Sequence, residues 1–339
     1  MSLFAFISEL CPNRQVTREA RQIVRTATGA EAGQAGSSDI DGAGERDDGI
    51  TAQVSLAVAA KASAENFPVA LRVLPKRFRA NLTALYGFAR LTDDLGDEPL
   101  PGLPADAAEE TVTATRLKLL DELQADVRRI YEDEEPELQA IKELKRTVRE
   151  CGVPAKPLYD LIQANRQDQL VTRYDTYQDL EDYCALSANP VGEVVLYIMS
   201  AATPQRIEAS NRICTALQVI EHCQDVAEDF ANGRVYLPQQ DMDAYQVTEP
   251  DLAQKSASKQ VRALVKFEAD RARQLLDDGG PLVGTLKGMA RLAIAGYVAG
   301  GRATLNAIEA GGYDVLRSTP RPGKADTLAL MARCYIKGR

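Results

Sequence analysis

The sequence predicts an all-α protein that folds as a single-domain helical bundle. Apolar residues recur with the 3.6-residue period of an amphipathic helix along most of the chain after residue 51. Alternating strand patterns are nearly absent, since the one candidate, residues 233–238, is short and bounded by Gly and Pro. The 339 residues are 45% hydrophobic and 26% charged, a globular composition that suffices for a large core.

The first 50 residues are predicted to be a disordered extension. Residues 28–50 are rich in Gly, Ala, Ser, Asp and Glu. Their few large apolar side chains cannot offset the entropy that ordering the segment would cost. We therefore place the folded domain at residues 51–339.

Helical periodicity defines the elements of the folded domain in order. The first is Ala-rich, and the second begins after Pro75, a residue type that is favoured at a helix start. Pro190 should kink or restart a helix, because proline lacks the backbone N–H that a helix interior needs. The predicted helices are residues 55–65, 76–94, 106–131, 135–150, 156–165, 180–187, 191–201, 210–231, 256–277, 281–309 and 325–336.

Charge and cysteine content argue against several functions. The net charge of −9 disfavours nucleic acid as a partner. Six scattered cysteines without a Cys-x-x-Cys pair, and a single histidine, disfavour zinc and are typical of reduced intracellular thiols. No apolar run reaches the roughly 18 residues of a membrane span. We expect a cytoplasmic protein.

Two acidic clusters lie on predicted helices, each with the spacing of a single helix face. The first has the spacing i, i+4, i+7, i+8 and i+11 and consists of Tyr86, Arg90, Asp93, Asp94 and Asp97. The second has the spacing i, i+3, i+7, i+10 and i+11 and consists of Gln218, Glu221, Asp225, Glu228 and Asp229.

Both helices also carry large apolar residues, so their carboxylates would be partly buried and would repel one another unless cations neutralise them. Mg²⁺ takes oxygen ligands and completes its coordination with water and substrate phosphates. One such cluster is usually a solvated face, whereas two with matching spacing favour a metal site. The pattern predicts two facing helices that hold a diphosphate through Mg²⁺. A calcium loop is disfavoured, because no Asp-rich loop with a central Gly is present.

Several motifs in the same order resemble the squalene and phytoene synthase family over about residues 55–320. The approach to the first cluster contains Asn66-Phe67-Pro-Val-Ala and Leu74-Pro75. A middle segment reads Tyr183-Cys-x-x-Ser-Ala-Asn-Pro-Val-Gly192-Glu193. The second cluster continues into Gly233-Arg234-Val-Tyr236-Leu-Pro238. The resemblance implies an all-α isoprenoid synthase fold with a central prenyl cavity, Mg²⁺, and substrates with long prenyl chains on a diphosphate.

Within the family, the motifs look most like the branch of the bacterial hopanoid pathway that converts presqualene diphosphate to hydroxysqualene. Enzymes that condense two prenyl diphosphates usually read Asn-Ile-x-Arg-Asp at the second motif. In this chain Glu221 stands at the position of the Asn, and Gln224 stands at that of the Arg. A neutral amide in place of a cation makes condensation of two diphosphates less favourable and leaves ionisation of one diphosphate intact.

The resemblance also implies roles for individual residues. Arg90 would donate to the diphosphate, or else pair with Asp94 in a structural salt bridge. Tyr86 and Tyr183 would bind the leaving group or stabilise a carbocation, or else pack as buried aromatic residues. The only histidine, His222, is expected to support the site. Gln218 joins them as a catalytic candidate, and Gln224 or Glu221 would position the water that captures the cation.

Metal and substrate residues complete the expected site. The Mg²⁺ ligands would be Asp93, Asp94, Asp97, Glu221, Asp225 and Asp229. Small or apolar residues that would line the prenyl slot are Phe67, Ala188, Val191 and Gly192, although Gly192 could instead serve only helix packing. Arg234 and Tyr236 would close over the diphosphate, or else form a surface loop.

Two alternatives remain open. The protein could be a presqualene diphosphate or phytoene synthase that condenses two prenyl diphosphates, or a non-catalytic helical partner subunit. The expected partners are presqualene diphosphate and diphosphate. We also expect functional coupling to a presqualene diphosphate synthase, and transient contact with a membrane, because the product is insoluble in water.

Overall fold

The computed structural model of this chain describes residues 75–98, 100, 103–104 and 107–339, and the structural statements below concern these residues. The predicted disordered extension, the predicted helix 55–65 and the candidate Phe67 lie outside them. The described residues contain fourteen helices and no strand, and one isolated bridge pairs Arg173 with Val235. The all-α class is confirmed.

The chain divides into two compact units between residues 147 and 148. The first unit contains α1 and α2, and α3 extends across its end. The bounds of these helices are Lys76–Asp97 for α1, Glu109–Tyr131 for α2 and Gln139–Cys151 for α3.

The second unit contains the remaining eleven helices, α4 to α14. In chain order they are Ala155–Gln167, Tyr177–Ser187, Asn189–Ile198, Pro204–Gln224, Val226–Ala231, Gln239–Ala244, Glu249–Leu252, Lys259–Gly279, Leu282–Thr285, Gly288–Ala310 and Lys324–Lys337.

In the first unit, α1 packs against α2 and supplies the largest core residues. Leu85, Phe88 and Leu91 are fully buried, at the spacing that one face of a helix requires. Thr147 donates from its hydroxyl to the side-chain oxygen of Asn81 at 3.2 Å, and both residues are buried. This bond ties α3 to the start of α1 and fixes the helix that carries the first acidic cluster.

In the second unit, α7 is the central helix and packs along α11, α6 and α13. The approach of α6 is close at Gly192, where a Cβ atom would lie 2.4 Å from Cys214 Sγ and 2.5 Å from Ser210 Oγ. Glycine avoids both of these close approaches, so helix packing favours it at this position. The second acidic cluster lies at the C-terminal end of the same helix, α7, and continues into α8.

Two predicted helices are each interrupted in the structure. The predicted helix 210–231 begins earlier, at Pro204, and is divided at Asp225 into α7 and α8. Asp is a poor residue for a helix interior, because its carboxylate competes for nearby backbone groups. The predicted helix 281–309 is divided between α12 and α13, where Leu286 and Lys287 are extended and Gly288 has a φ of +53°.

Candidate functional site

The first acidic cluster lies on one continuous helix, α1, as its spacing predicts. Arg90 forms an ion pair with Asp94, with 2.7 Å between Nη2 and Oδ1, and a longer one with Glu98 at 3.5 Å. The Asp94 side chain is only 2% exposed, whereas that of Arg90 is 42% exposed. The salt bridge that the sequence offered as an alternative role for Arg90 is therefore formed.

The buried carboxyl of Asp94 is held in an unfavourable environment for a charge. Burial raises the pKa of Asp94 to about 6, and Arg90 only partly offsets this effect. Among the described residues, no donor forms a hydrogen bond with Oδ2 of Asp94. A buried carboxylate oxygen without a donor would be stabilised by a cation, so Asp94 fits the role of a metal ligand.

The other members of the first cluster differ in how far they are exposed to solvent. Tyr86 is buried, Asp93 is partly exposed, and Asp97 is exposed. Arg116 of α2, for which sequence reasoning has no signal, donates to the backbone carbonyl oxygens of Asp97 at 3.0 Å and Glu98 at 3.4 Å. These bonds satisfy the C-terminal carbonyl groups of α1 and fix the end of the helix that carries the carboxylates.

In the second acidic cluster, the buried side chains of Gln218 and His222 lie in a row with the partly exposed Asp229. Nε2 of Gln218 lies 3.2 Å from Nε2 of His222, and Nδ1 of His222 lies 3.9 Å from a carboxylate oxygen of Asp229. Burial lowers the pKa of His222, although Asp229 acts in the opposite direction, so the ring is neutral near pH 7. His222 thus lies beside two of the predicted site residues, Gln218 and Asp229, in agreement with the expectation that it supports the site.

The carboxylates of this cluster also differ in depth. Glu221 is buried, Asp225 and Asp229 are partly exposed, and Glu228 is exposed. The helix break at Asp225 does not scatter them, because the backbone N–H of Asp225 still donates to Glu221 and that of Asp229 to Asp225. The hydrogen bonds between residues four positions apart therefore continue through the break.

An aromatic cluster packs against this polar chain. The ring of Tyr236 stacks on His222 with 3.8 Å between centroids, and Tyr174 and Tyr183 each lie 5.8 Å from Tyr236. The sequence singled out Tyr183 and Tyr236, and the structure brings them together. Tyr174 was missed, because it lies between two predicted helices and belongs to no periodic pattern.

Asp168 anchors the aromatic cluster and was also missed by sequence reasoning. The Tyr183 hydroxyl donates to its carboxylate at 3.0 Å. Burial, with the Asp168 charge as a second cause, raises the pKa of Tyr183 well above its usual value, so the phenol stays protonated. The hydrogen bond fixes the ring of Tyr183 against its neighbours.

The segment after the second cluster is held close to this aromatic cluster. The backbone N–H of Val235 donates to Thr172, and Arg173 donates to the carbonyl oxygen of Gly233 at 2.7 Å. Gly233 itself has a φ of +79°, a conformation that favours glycine. Arg234 reaches the carbonyl oxygen of Asp168 at 3.5 Å. Arg234 and Tyr236 therefore belong to an anchored segment rather than to a free surface loop.

Several predicted site residues are packed against other parts of the protein. Gln224 donates from its amide nitrogen to the carbonyl oxygen of Pro320 at 2.5 Å. Ala188 and Val191 are buried beside Gly192, whose contact with α7 fills the space in which a side chain would lie. The packing alternative is thus favoured for Gly192, and the amide of Gln224 is already engaged.

The residue types of the two clusters suit a metal better than their arrangement does. In the part of the chain that the structure describes, no group of three or more His, Cys, Asp or Glu side chains is arranged to hold a metal ion. All six candidates are nevertheless carboxylates, which Mg²⁺ prefers, and the buried oxygen of Asp94 would gain from a cation. The two clusters belong to different compact units.

The fold and these residues define an all-α protein with two carboxylate-rich helices, one of which adjoins a buried tyrosine cluster. The squalene/phytoene synthase family matches residues 60–326 of the chain, and the protein belongs to this family. The family resemblance carried by the sequence motifs is confirmed.

Individual relatives and solved structures agree with this membership. The hydroxysqualene synthase of Rhodopseudomonas palustris is 33% identical over 224 residues, which cover 66% of this chain and 72% of the relative. The 15-cis-phytoene synthase of Synechococcus elongatus is 28% identical over 266 residues, 75% of this chain and 82% of the relative. Family membership alone therefore does not distinguish these two reactions.

Among solved structures, the squalene synthase HpnC of Alicyclobacillus acidocaldarius superposes with a TM-score of 0.65 at 30% identity. The match covers 91% of this chain and 98% of that one. A dehydrosqualene synthase with bound ligand has a TM-score of 0.70 at 21% identity, covering 96% of this chain and 100% of that one. The second match is evidence for the fold alone.

Proposed function

We propose that the protein converts presqualene diphosphate to hydroxysqualene, with release of diphosphate and in the presence of Mg²⁺. The observation that carries this proposal is the side chain of Gln224, which is neutral and already forms a hydrogen bond within the protein. Where condensing relatives usually have an arginine, this chain has a neutral amide that donates to Pro320. The position therefore supplies no cation to offset a second diphosphate. The similarity to hydroxysqualene synthases supports the same branch.

The carboxylates of both clusters are the proposed Mg²⁺ ligands: Asp93, Asp94, Asp97, Glu221, Asp225 and Asp229. Bound Mg²⁺ supplies Lewis-acid polarisation of the leaving diphosphate oxygens. Arg90 is held by Asp94 but remains 42% exposed, so its guanidinium can also donate to an anion. Tyr86 is the neighbouring hydroxyl on the same helix face.

The aromatic cluster is the proposed environment of the carbocation that forms when diphosphate leaves. The Tyr183 ring offers π-density to a cation, Asp168 keeps this ring in one orientation, and Tyr236, with one face stacked on His222, can contribute only through its other face or its edge. All three tyrosines of this cluster are largely buried, so bulk water would be excluded from the cation. Because the amide of Gln224 is engaged with Pro320, Glu221 is the better candidate to position the capturing water. Gln218 would act through His222.

Product analysis with purified protein tests the proposal. Presqualene diphosphate with Mg²⁺ should give hydroxysqualene and free diphosphate, whereas farnesyl diphosphate alone should give little or no product. A chelator that removes Mg²⁺ should stop both the formation of hydroxysqualene and the release of diphosphate. Efficient formation of presqualene diphosphate from farnesyl diphosphate would contradict the branch assignment and leave family membership unaffected.

One observation favours a second candidate, a condensing synthase: two 15-cis-phytoene synthases match 75% and 77% of the chain, a larger share than the 66% matched by the hydroxysqualene synthase of Rhodopseudomonas palustris. Geranylgeranyl diphosphate as substrate would reveal this activity. A non-catalytic subunit is less well supported, since all six candidate carboxylates are present. Magnesium-dependent release of diphosphate by the protein alone would exclude that alternative.

We also propose that the enzyme is cytoplasmic and that another enzyme supplies its substrate. Presqualene diphosphate is itself the product of a head-to-head condensation, so a presqualene diphosphate synthase must precede this step. Its C30 chain and that of the product are poorly soluble in water, which favours reaction near a membrane surface.

A further inference from the structure

Helix α14, residues Lys324–Lys337, presents an apolar face to solvent. Within this helix only Thr327 and Cys334 are buried. Leu328 is 61% exposed and Ile336 is 78% exposed, eight residues apart and therefore on the same side of the helix. Ala325, Ala329 and Ala332 are also exposed and complete that side. The outward face of α14 is apolar where a surface helix would normally be polar.

Basic residues flank this outward face. Residues 324–339 contain four basic side chains and one acidic one, although the chain as a whole carries a net charge of −9. All four are exposed: Lys324, Arg333, Lys337 and Arg339. A helix with an apolar face bordered by Lys and Arg is typical of segments that lie in the interface of an anionic bilayer.

Helix α14 is firmly attached to the rest of the protein, so its outward face keeps one direction. On its other side α14 packs against α13. Arg291 of α13 donates to the backbone carbonyl oxygens of Tyr335 and Ile336, and its guanidinium lies 5.0 Å from the centre of the Tyr335 ring. Arg302 donates to Cys334 Sγ at 3.3 Å and to the carbonyl oxygen of Arg339 at 3.2 Å. The apolar side is therefore fixed in its outward direction.

We propose that α14 docks this protein onto the surface of an anionic membrane. Leu328 and Ile336 enter the interface, and Lys324, Arg333 and Lys337 contact the lipid headgroups. The contact is peripheral, since none of the described helices is long and apolar enough to cross a bilayer. The family match ends at residue 326 and therefore covers only the first three residues of this helix. The proposal does not depend on the reaction that the enzyme catalyses.

Charge distinguishes a bilayer from a second copy of the chain as the occupant. Two copies that met through this face about a two-fold axis would place basic residues against basic residues, which repel. An anionic lipid surface instead attracts every basic residue of the face.

Flotation with lipid vesicles, using the full chain without substrate, tests the proposal. The protein should float with vesicles of phosphatidylcholine and phosphatidylglycerol, much less with phosphatidylcholine alone, and less at high salt. Ile336→Glu and Leu328→Glu should each lower partitioning about tenfold or more, because each removes apolar burial. The matched control is Leu170→Glu, at another exposed leucine of the second unit, which should leave partitioning unchanged.

A charge series gives an independent measurement. Arg333→Gln with Lys337→Gln should lower partitioning onto anionic vesicles roughly 25-fold, at about 1 kcal/mol for each basic residue. Lys255→Gln with Lys259→Gln removes the same charge from exposed positions elsewhere and should have little effect. Circular dichroism should show unchanged helix content in all variants, since every altered side chain is exposed.

Three outcomes would overturn the proposal. The first is equal or no flotation of wild-type protein with the two vesicle types. The second is that the α14 variants and their control variants float to the same reduced extent. The third is a dimer, measured by light scattering, that Ile336→Glu dissociates in a protein that does not bind vesicles; the face would then belong to a second copy of the chain.

Discussion

The two acidic clusters differ in what surrounds their carboxylates. One lies on α1, and the other lies at the junction of α7 and α8. In α1, the buried Asp94 has one cationic partner, Arg90, and burial raises its pKa to about 6. At the α7–α8 junction, Asp229 instead neighbours a neutral His222, which is stacked on Tyr236. The first cluster is thus dominated by charge, and the second is supported by neutral polar and aromatic packing.

This difference indicates that the two clusters should respond differently to the same kind of change. Neutralising a carboxylate in α1 relieves an electrostatic cost in the metal-free protein, whereas disturbing the aromatic cluster beside α7 creates a cavity. If both clusters bind Mg²⁺, loss of a carboxylate from either should still have the same effect on turnover. Activity measurements should therefore report the metal binding that both clusters share. Stability measurements should report how their surroundings differ.

The largest expected effect is on activity. Asp94→Asn and Asp225→Asn should each lower turnover of presqualene diphosphate roughly 10²- to 10³-fold, the equivalent of several kcal/mol of metal-assisted stabilisation. Steady-state diphosphate release with increasing Mg²⁺ measures this loss. Matched controls are Glu98→Gln, at an exposed carboxylate beside the first cluster, and Glu228→Gln, at the exposed member of the second cluster that is not a proposed ligand. Near wild-type rates in both Asp variants would rule out the proposed metal ligands.

The next effect is on stability and concerns only the second region. Tyr236→Ala should lower the free energy of unfolding by about 3–5 kcal/mol, because it removes a buried ring that stacks on His222 and contacts two tyrosines. Urea denaturation measures the change. Tyr335→Ala, at a residue that is 39% exposed, is the control and should cost much less. Equal costs for the two variants would mean that the aromatic cluster is not a tightly packed part of the fold.

Stability should depend on pH through Asp94. Its pKa is raised on folding from 3.8 to about 6, so the folded state binds the proton more tightly than the unfolded state. The stability that this preference contributes is present below about pH 4 and is lost as the pH rises through about 6. Asp94→Asn lacks this dependence. In chelator, the stability of wild type should fall relative to the variant by up to about 3 kcal/mol across this range.

His222 should show the opposite sign. Because burial lowers its pKa on folding, the folded state binds its proton less tightly than the unfolded state. The contribution to stability is therefore present above the unfolded pKa of 6.5 and is lost as the pH falls below it. Denaturation of His222→Asn between about pH 5 and about pH 7, where histidine ordinarily titrates, should lack this acid sensitivity. A wild-type-like profile would locate the acid-sensitive group elsewhere.

Most of the helices could be predicted from the sequence, because period and proline positions are local signals. The start of α1 after Pro75 and the restart at Pro190 are examples. The break at Asp225 was not predicted, because the apolar period continues through it. Asp168 and Tyr174 were missed for a different reason: they meet Tyr183 and Tyr236 only through tertiary packing, and neither belongs to a periodic pattern. The Gln224–Pro320 bond, across 96 positions, is equally invisible in the sequence.

The smallest expected effect concerns Gln224 and separates a structural role from a catalytic one. Gln224→Ala removes one hydrogen bond, to a backbone carbonyl, and should lower the free energy of unfolding by about 1 kcal/mol. If the amide only anchors the segment around Pro320, the ratio of hydroxysqualene to other products from presqualene diphosphate should not change, while Glu221→Gln should alter it. Gas chromatography of extracted products measures the ratio. A shift in product ratio with Gln224→Ala at unchanged helix content would instead assign the capturing water to Gln224, which would then have to leave Pro320 during the reaction.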